Sequence, residues 1–71
     1  MENVKLDGNE YKIIKKLESD NWLYYYTLNI TQDNEVVILC RNLLDEEAKI
    51  EIVDEHEYPI LMNKFAKIEN S

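Results

Sequence analysis

The hydrophobic positions of this chain form five short runs and then one stretch with a different spacing. "NVKL" at 3–6 and "EYKIIKKLE" at 10–18 flank "LDGN", whose Asp7-Gly8 pair has the composition of a tight hairpin turn. "SDN" at 19–21 precedes "WLYYYTLNI" at 22–30, and "TQDN" at 31–34 precedes "EVVILCRN" at 35–42. These runs are dense in Val, Ile, Tyr, Thr and Trp, side chains that suit a pleated, half-buried surface. An acidic connection, "LLDEEA", leads to a short run, "KIEIV" at 49–53. The spacing predicts an antiparallel meander of four to five strands, at about 3–6, 10–18, 22–30, 35–42 and 49–53.

After residue 57 the period changes. Apolar residues at 58, 61, 62, 65 and 68 follow the spacing of one helix face. Asp54 and Glu57 have the separation of a capping box. Pro59 is poorly tolerated inside a helix but well tolerated at its first position, so the regular helix is placed at about 59–68, with "DEHEY" as its acidic lead-in. The predicted fold class is α+β: an antiparallel β-meander with one C-terminal α-helix packed on one face, in a single domain spanning residues 1–71.

Strand pairing sorts the aromatic run "WLYYY" at 22–26. With Asp20-Asn21 as a two-residue turn, Leu17 faces Tyr24, Lys15 faces Tyr26 and Ile13 faces Leu28. Alternation then puts Tyr24, Tyr26, Leu28 and Ile30 on one side with Tyr11, Ile13 and Leu17. That side is the predicted core face, roofed by Leu61, Met62, Phe65 and Ile68, with the stem of Lys15 lying along Tyr26. Tyr25 goes to the other side, across from Lys16, together with Ile14 and Leu23. An even-length loop at 31–34 adds Val36, Ile38 and Cys40 to that second face; an odd loop sends them to the core and turns Val37 and Leu39 outward. One helix covers one face, so the pattern leaves apolar surface over on either reading.

Charge narrows the function. Fifteen acids against eight Lys and Arg give −7 on 71 residues. That balance repels phosphate backbones and anionic membranes, which disfavours direct nucleic-acid or membrane binding, and it favours a protein partner with a basic surface. The composition, 45% hydrophobic with one Gly and one Pro, fits a folded chain. The lone Cys40 excludes an intramolecular disulfide, and no leader-like or membrane-spanning stretch is visible, so a cytoplasmic location is expected. The Asn29-Ile30-Thr31 triplet is read as a chance match to a glycosylation acceptor.

The candidate chemistry is sparse. Single copies of Cys40 and His56 are too few for a zinc site, and Cys40 inside "VVILCR" reads as an inert thiol. There is no phosphate-binding glycine loop, and neither a catalytic residue, a metal nor a cofactor is expected; the chain is read as a non-enzyme. The stretch 45–57 holds Asp45, Glu46, Glu47, Glu51, Asp54, Glu55 and Glu57. It lacks the glycine and the alternating carboxylates of a calcium loop. Two readings stand: a solvated acidic edge, or a row of carboxylates that imitates phosphates and enters a basic groove. Tyr25 is the aromatic expected to meet another molecule, and Trp22, beside the turn, is open to either role.

The segments "LDGNEYKIIKKLE", "YYYTLNI", "NEVVIL" and "DEHEYPILMNKFAKI" together resemble a family of small acidic proteins of Gram-positive bacteria and their phages. The resemblance implies the sheet-plus-helix fold and carries no activity. In size and charge the chain is also similar to acidic phage inhibitors, anti-CRISPR proteins among them. The expected function is therefore a protein-binding inhibitor that blocks the nucleic-acid groove of a host protein. The alternative is an interaction module that homodimerises through its second apolar sheet face.

Overall fold

The computed structural model describes residues 2–69, with side chains as far as Lys67. Five strands, β1 (Asn3–Leu6), β2 (Asn9–Ser19), β3 (Trp22–Asn29), β4 (Glu35–Asn42) and β5 (Glu51–Ile52), form one antiparallel sheet in sequential order. A 3-10 turn at Glu55–Glu57 runs directly into α1 (Tyr58–Glu69). The fold is α+β, a meander with one C-terminal helix, as the hydrophobic pattern predicts. Among the described residues no helix is long and apolar enough to cross a membrane.

The first two hairpins close on two-residue turns. Asp7 and Gly8 have φ of 50° and 81°, and Asp20 and Asn21 have φ of 52° and 66°. Two consecutive left-handed residues match the right-handed twist of the flanking strands, and Asp, Asn and Gly adopt that region at the least cost. The third loop holds five residues between the pair Asn29↔Glu35, so its length is odd. Asn29 Oδ1 accepts from the amides of Thr31 and Gln32, at 3.1 and 3.2 Å, and Asp33 and Asn34 supply the positive φ that reverses the chain. Val36, Ile38 and Cys40 consequently share the face of Tyr24 and Tyr26, which is the odd-loop branch of the expectation.

One irregularity rearranges the predicted core. Leu17↔Tyr24 and Lys15↔Tyr26 pair as expected, but the next partner of Thr27 is Ile13, leaving Ile14 as an extra residue. Beyond this bulge every β2 side chain changes face. Ile13 sits opposite Thr27 instead of Leu28, and Tyr11 opposite Asn29. Tyr11 and Ile13 therefore leave the helix side for the Tyr25 side.

The core is accordingly double. Under the helix lie Ile38, Val53, Leu61 and Phe65, with Leu17, Tyr24, Tyr26, Cys40 and Tyr58 packed around them. The rings of Tyr26 and Phe65 meet edge to face at 5.7 Å. On the other face Tyr11, Tyr25 and Leu39 are buried among Leu6, Ile13, Leu23, Val37 and Ile50. Leu6 comes from the first strand and Ile50 from just before the last, yet both touch this cluster. The twisted sheet curls around it, so the second face is closed without a second helix.

Four placements correct the sequence reading. Val37 and Leu39 do not face outward, and Leu39 is wholly buried. Ile30 is exposed in the loop that follows β3 rather than in the core. Met62 flanks the inward stripe of Tyr58, Leu61 and Phe65 and stays 38% exposed. Ile68 lies outside the described side chains. Pro59 is the second residue of α1, still within the first turn, where an amide proton has no intrahelical acceptor to lose.

The helix is seated by polar contacts at both flanks. Val53 N donates to Ile38 O at 2.9 Å as the last link of the β5 edge. Where β5 ends, Ile38 N donates to the Tyr58 hydroxyl at 3.2 Å, so a side chain of α1 replaces the missing strand. Lys64 Nζ reaches Ser19 Oγ at 3.5 Å on the other side. The helix thus runs across the sheet from β4 towards β2.

A candidate acidic binding edge

The connection from β4 through β5 to α1 carries the seven acidic candidates on one margin of the sheet. Asp45, Glu46, Glu47, Glu51, Asp54, Glu55 and Glu57 are all exposed. Local hydrogen bonds give this segment its shape. Asn42 Oδ1 accepts from Leu44 N at 2.9 Å, and Asp45 Oδ1 from Glu47 N at 3.0 Å. Leu43 N donates to Asn21 O at 2.8 Å, tying the connection to the β2–β3 turn. Asx-type turns of this kind explain how a polar stretch without glycine changes direction twice.

The acids divide into two groups. Asp45 and Glu46 border a shallow hollow of about 210 Å³ with Arg41, Asn42, Leu43 and Ala48. Glu51 and Glu57 converge instead on the helix side of the sheet. Burial pushes the Cys40 thiol up, and the charges of Glu51 and Glu57 push it further. Tyr24 is raised by burial first, then by Cys40, Glu57 and Asp20. A thiol that resists ionisation beside two carboxylates is a poor nucleophile at neutral pH.

Asp54 and His56 form the one local pair in this edge. Asp54 caps the 3-10 turn, its Oδ1 accepting from His56 N at 2.9 Å while lying 2.9 Å from His56 Nδ1. The backbone bond, then the side-chain contact, hold the Asp54 carboxyl below its ordinary range. The imidazole is 95% exposed and turned to the Asp54 carboxylate that caps the turn. Among the described residues no group of three or more His, Cys, Asp or Glu side chains is arranged to hold a metal ion.

The aromatic candidates separate. Trp22 is half-buried at the head of β3, between Ser19 and Asn42. Tyr25, expected as the exposed anchor, is only 6% exposed and belongs to the second core cluster. The correction has one cause: the sheet curls over the face that was expected to remain open. On that second face Tyr25 and Leu39 are buried, while Ile52, opposite Leu39, stays 52% exposed. Asn29 is also buried, with Oδ1 engaged in the loop, so the glycosylation triplet is structural in place.

Sequence reasoning missed the hydroxyl of Thr27. It is fully buried and donates to Val37 O at 2.7 Å, in the cross-strand pair Thr27↔Val37. Thr27 and Asn29 are polar residues at inward positions of a strand, a signal that becomes readable only once the face is known. A scan against family models found no match, and comparisons with curated proteins and with solved structures returned none that is significant.

Proposed function

We propose that the protein is a non-enzymatic acidic binding module that occupies the basic nucleic-acid-binding groove of another protein, in the manner of a phage-encoded inhibitor. The observation that supports this most is the margin at 45–57, where seven exposed carboxylates stand against one lysine, Lys49. Such a margin presents a concentrated negative potential on a small, rigid support, suited to a groove built for phosphates. Turns held by Asn42, Asp45 and Asp54 fix the backbone that carries the charges. Preorganised charge loses less ordering entropy on binding than a disordered acidic tail. Trp22, half-buried at the head of β3, is the aromatic that remains available beside this margin; Tyr25 serves the core.

The test is affinity capture from a host lysate at low salt, followed by competition with labelled nucleic acid for the captured protein. The expected result is a nucleic-acid-acting protein whose retention falls steeply with salt and whose nucleic acid is displaced by this chain. A variant with Glu46, Glu47, Glu51, Glu55 and Glu57 changed to Gln should fold normally and lose capture. Capture unaffected by that neutralisation would discard the acidic margin as the binding surface.

A further inference from the structure

The strand β1 forms one edge of the sheet, and the direction of its backbone groups follows from bonds made on both sides of β2. Ile13 N donates to Glu2 O at 3.0 Å, so Glu2, Val4 and Leu6, in alternation, turn their backbone groups towards β2. Glu10 fixes the same parity from the far side. Its carbonyl accepts from Ile30 N at 3.0 Å and its amide donates to Thr31 Oγ1 at 2.8 Å, away from its β1 partner Lys5. Asn3 and Lys5 therefore point both N–H and C=O outwards, on the side where the sheet has no further strand.

The fold covers another open point of the sheet and leaves this one bare. Where β5 stops, the Ile38 amide is taken by the Tyr58 hydroxyl at 3.2 Å, whereas among the described residues nothing bonds to the outward groups of Asn3 and Lys5. Nor is the edge blunted by a bulge or a proline, since its register runs unbroken from Asn3↔Lys12 to Leu6↔Asn9. The two sides of the edge differ in character. On the helix side Asn3 and Lys5 are exposed, and Lys12 stands across from Asn3. Among the described residues neither Lys5 nor Lys12 is in an ion pair, and the Glu10 carboxylate opposite Lys5 is engaged by the Asn3 amide at 2.7 Å. On the other side Val4 and Leu6 are half-buried, and Leu6 packs against the cluster of Tyr11, Tyr25 and Leu39.

We infer that the β1 edge is a strand-addition site, and that its occupant is an extended segment of another protein in which acidic and apolar residues alternate. In this mode of recognition main-chain bonds supply the affinity and alternate side chains the selectivity. An added strand sets successive side chains on opposite faces of the sheet. Those beside Asn3 and Lys5 meet the lysines, which selects carboxylates. Those beside Val4 and Leu6 extend the second apolar cluster, which selects Val or Ile. An edge lysine discourages a basic or wholly apolar strand, so the residue that guards the edge also sets its preference. The strand itself, "NVKL", contains no carboxylate, so β1 of a second copy is not the complement. The carboxylates of 45–57 lie beyond β4, at the far end of the strand order, and the inference does not rest on the function proposed for them.

The probe is a capped hexapeptide of alternating Glu and Val, titrated to about 1 mM into isotope-labelled protein and followed by amide NMR. The Asn3 and Lys5 amides should shift saturably and exchange with solvent about tenfold more slowly, because they gain acceptors, while the Val4 amide is protected with or without peptide. Lys5→Pro removes an N–H that β2 does not use, so it should keep the native circular dichroism and lose the peptide. Lys5→Glu should weaken the Glu-Val peptide about fivefold or more and favour the matching Lys-Val peptide instead. Unmoved Asn3 and Lys5 amides overturn the inference, as does binding that survives Lys5→Pro. Equal affinity of the wild-type protein for the Glu-Val and Lys-Val peptides overturns the acidic occupant. Protection of Asn3 and Lys5 that appears without peptide as protein concentration rises assigns the edge to a second copy, and overturns it too.

Discussion

Tyr58 shows how much one side chain does at the junction of sheet and helix. Its hydroxyl receives the Ile38 amide at the point where β5 stops, in a residue with no exposed surface. Tyr58→Phe leaves that amide without an acceptor and should cost about 1–2 kcal/mol in urea denaturation, with little change in the native circular dichroism. An unchanged midpoint would show that water takes over the bond. Tyr25 was legible as a strand residue facing away from the helix, and that side is correct. Its burial was not legible, because side and exposure are different properties in a curled sheet. Tyr25→Ala should therefore cost about 3–5 kcal/mol, the loss expected for a buried aromatic in a packed cluster. A surface residue would lose a few tenths.

Among the elements, β2 carries the decisive feature. Its sequence reads as a regular run, and its register from Ser19 back to Lys15 was predictable from the Asp20-Asn21 turn. Past Ile14 the prediction failed by one residue, which exchanged the faces of Tyr11 and Ile13. No local signal marks the bulge: Ile14 is β-branched and indistinguishable in propensity from Ile13. The bulge is selected by what it feeds. Without it, Tyr11 and Ile13 would crowd the helix side, and the cluster around Tyr25 and Leu39 would lose its largest neighbour. Deleting Ile14 should restore continuous alternation and lower stability by more than about 3 kcal/mol, measured by chemical denaturation. A deletion variant of native stability would mean that the second cluster tolerates either register. The odd loop before β4 is the companion case: the residues of the turn were evident, but parity depended on Asn29 folding inward to accept two amides.

For the molecule as a whole, ionisation couples to the fold at alkaline pH. Cys40, Tyr24 and Tyr58 are all raised, burial being the first cause in each. Each favours its neutral form in the folded state, so its contribution is fully present below the unfolded value and is lost as pH rises through the folded one. The thiol acts first, from about pH 9, where its ordinary value lies, and the two phenols follow from about pH 10. The melting temperature should hold steady from neutrality to that point and fall above it. Glu51→Gln should also speed alkylation of Cys40 at pH 8, since it removes a charge that opposes the thiolate. Asp54 works in the opposite direction: its carboxyl is lowered, so its contribution is present above the ordinary value and lost as acid protonates it.

By itself the sequence determined the order and approximate limits of the strands, leaving their number at four to five, together with the C-terminal helix, the two tight Asp-containing turns and a net charge of −7. Each rests on information local to a few residues: period, turn chemistry, composition. The tertiary structure alone decided where the two faces end up. A single unpaired residue at Ile14 and an odd loop at 30–34 set the parity of half the sheet, and the accumulated twist closed the face that alternation left bare. Parity and curvature are properties of the whole sheet. No window of sequence contains them, and they moved Tyr25 from a surface into a core.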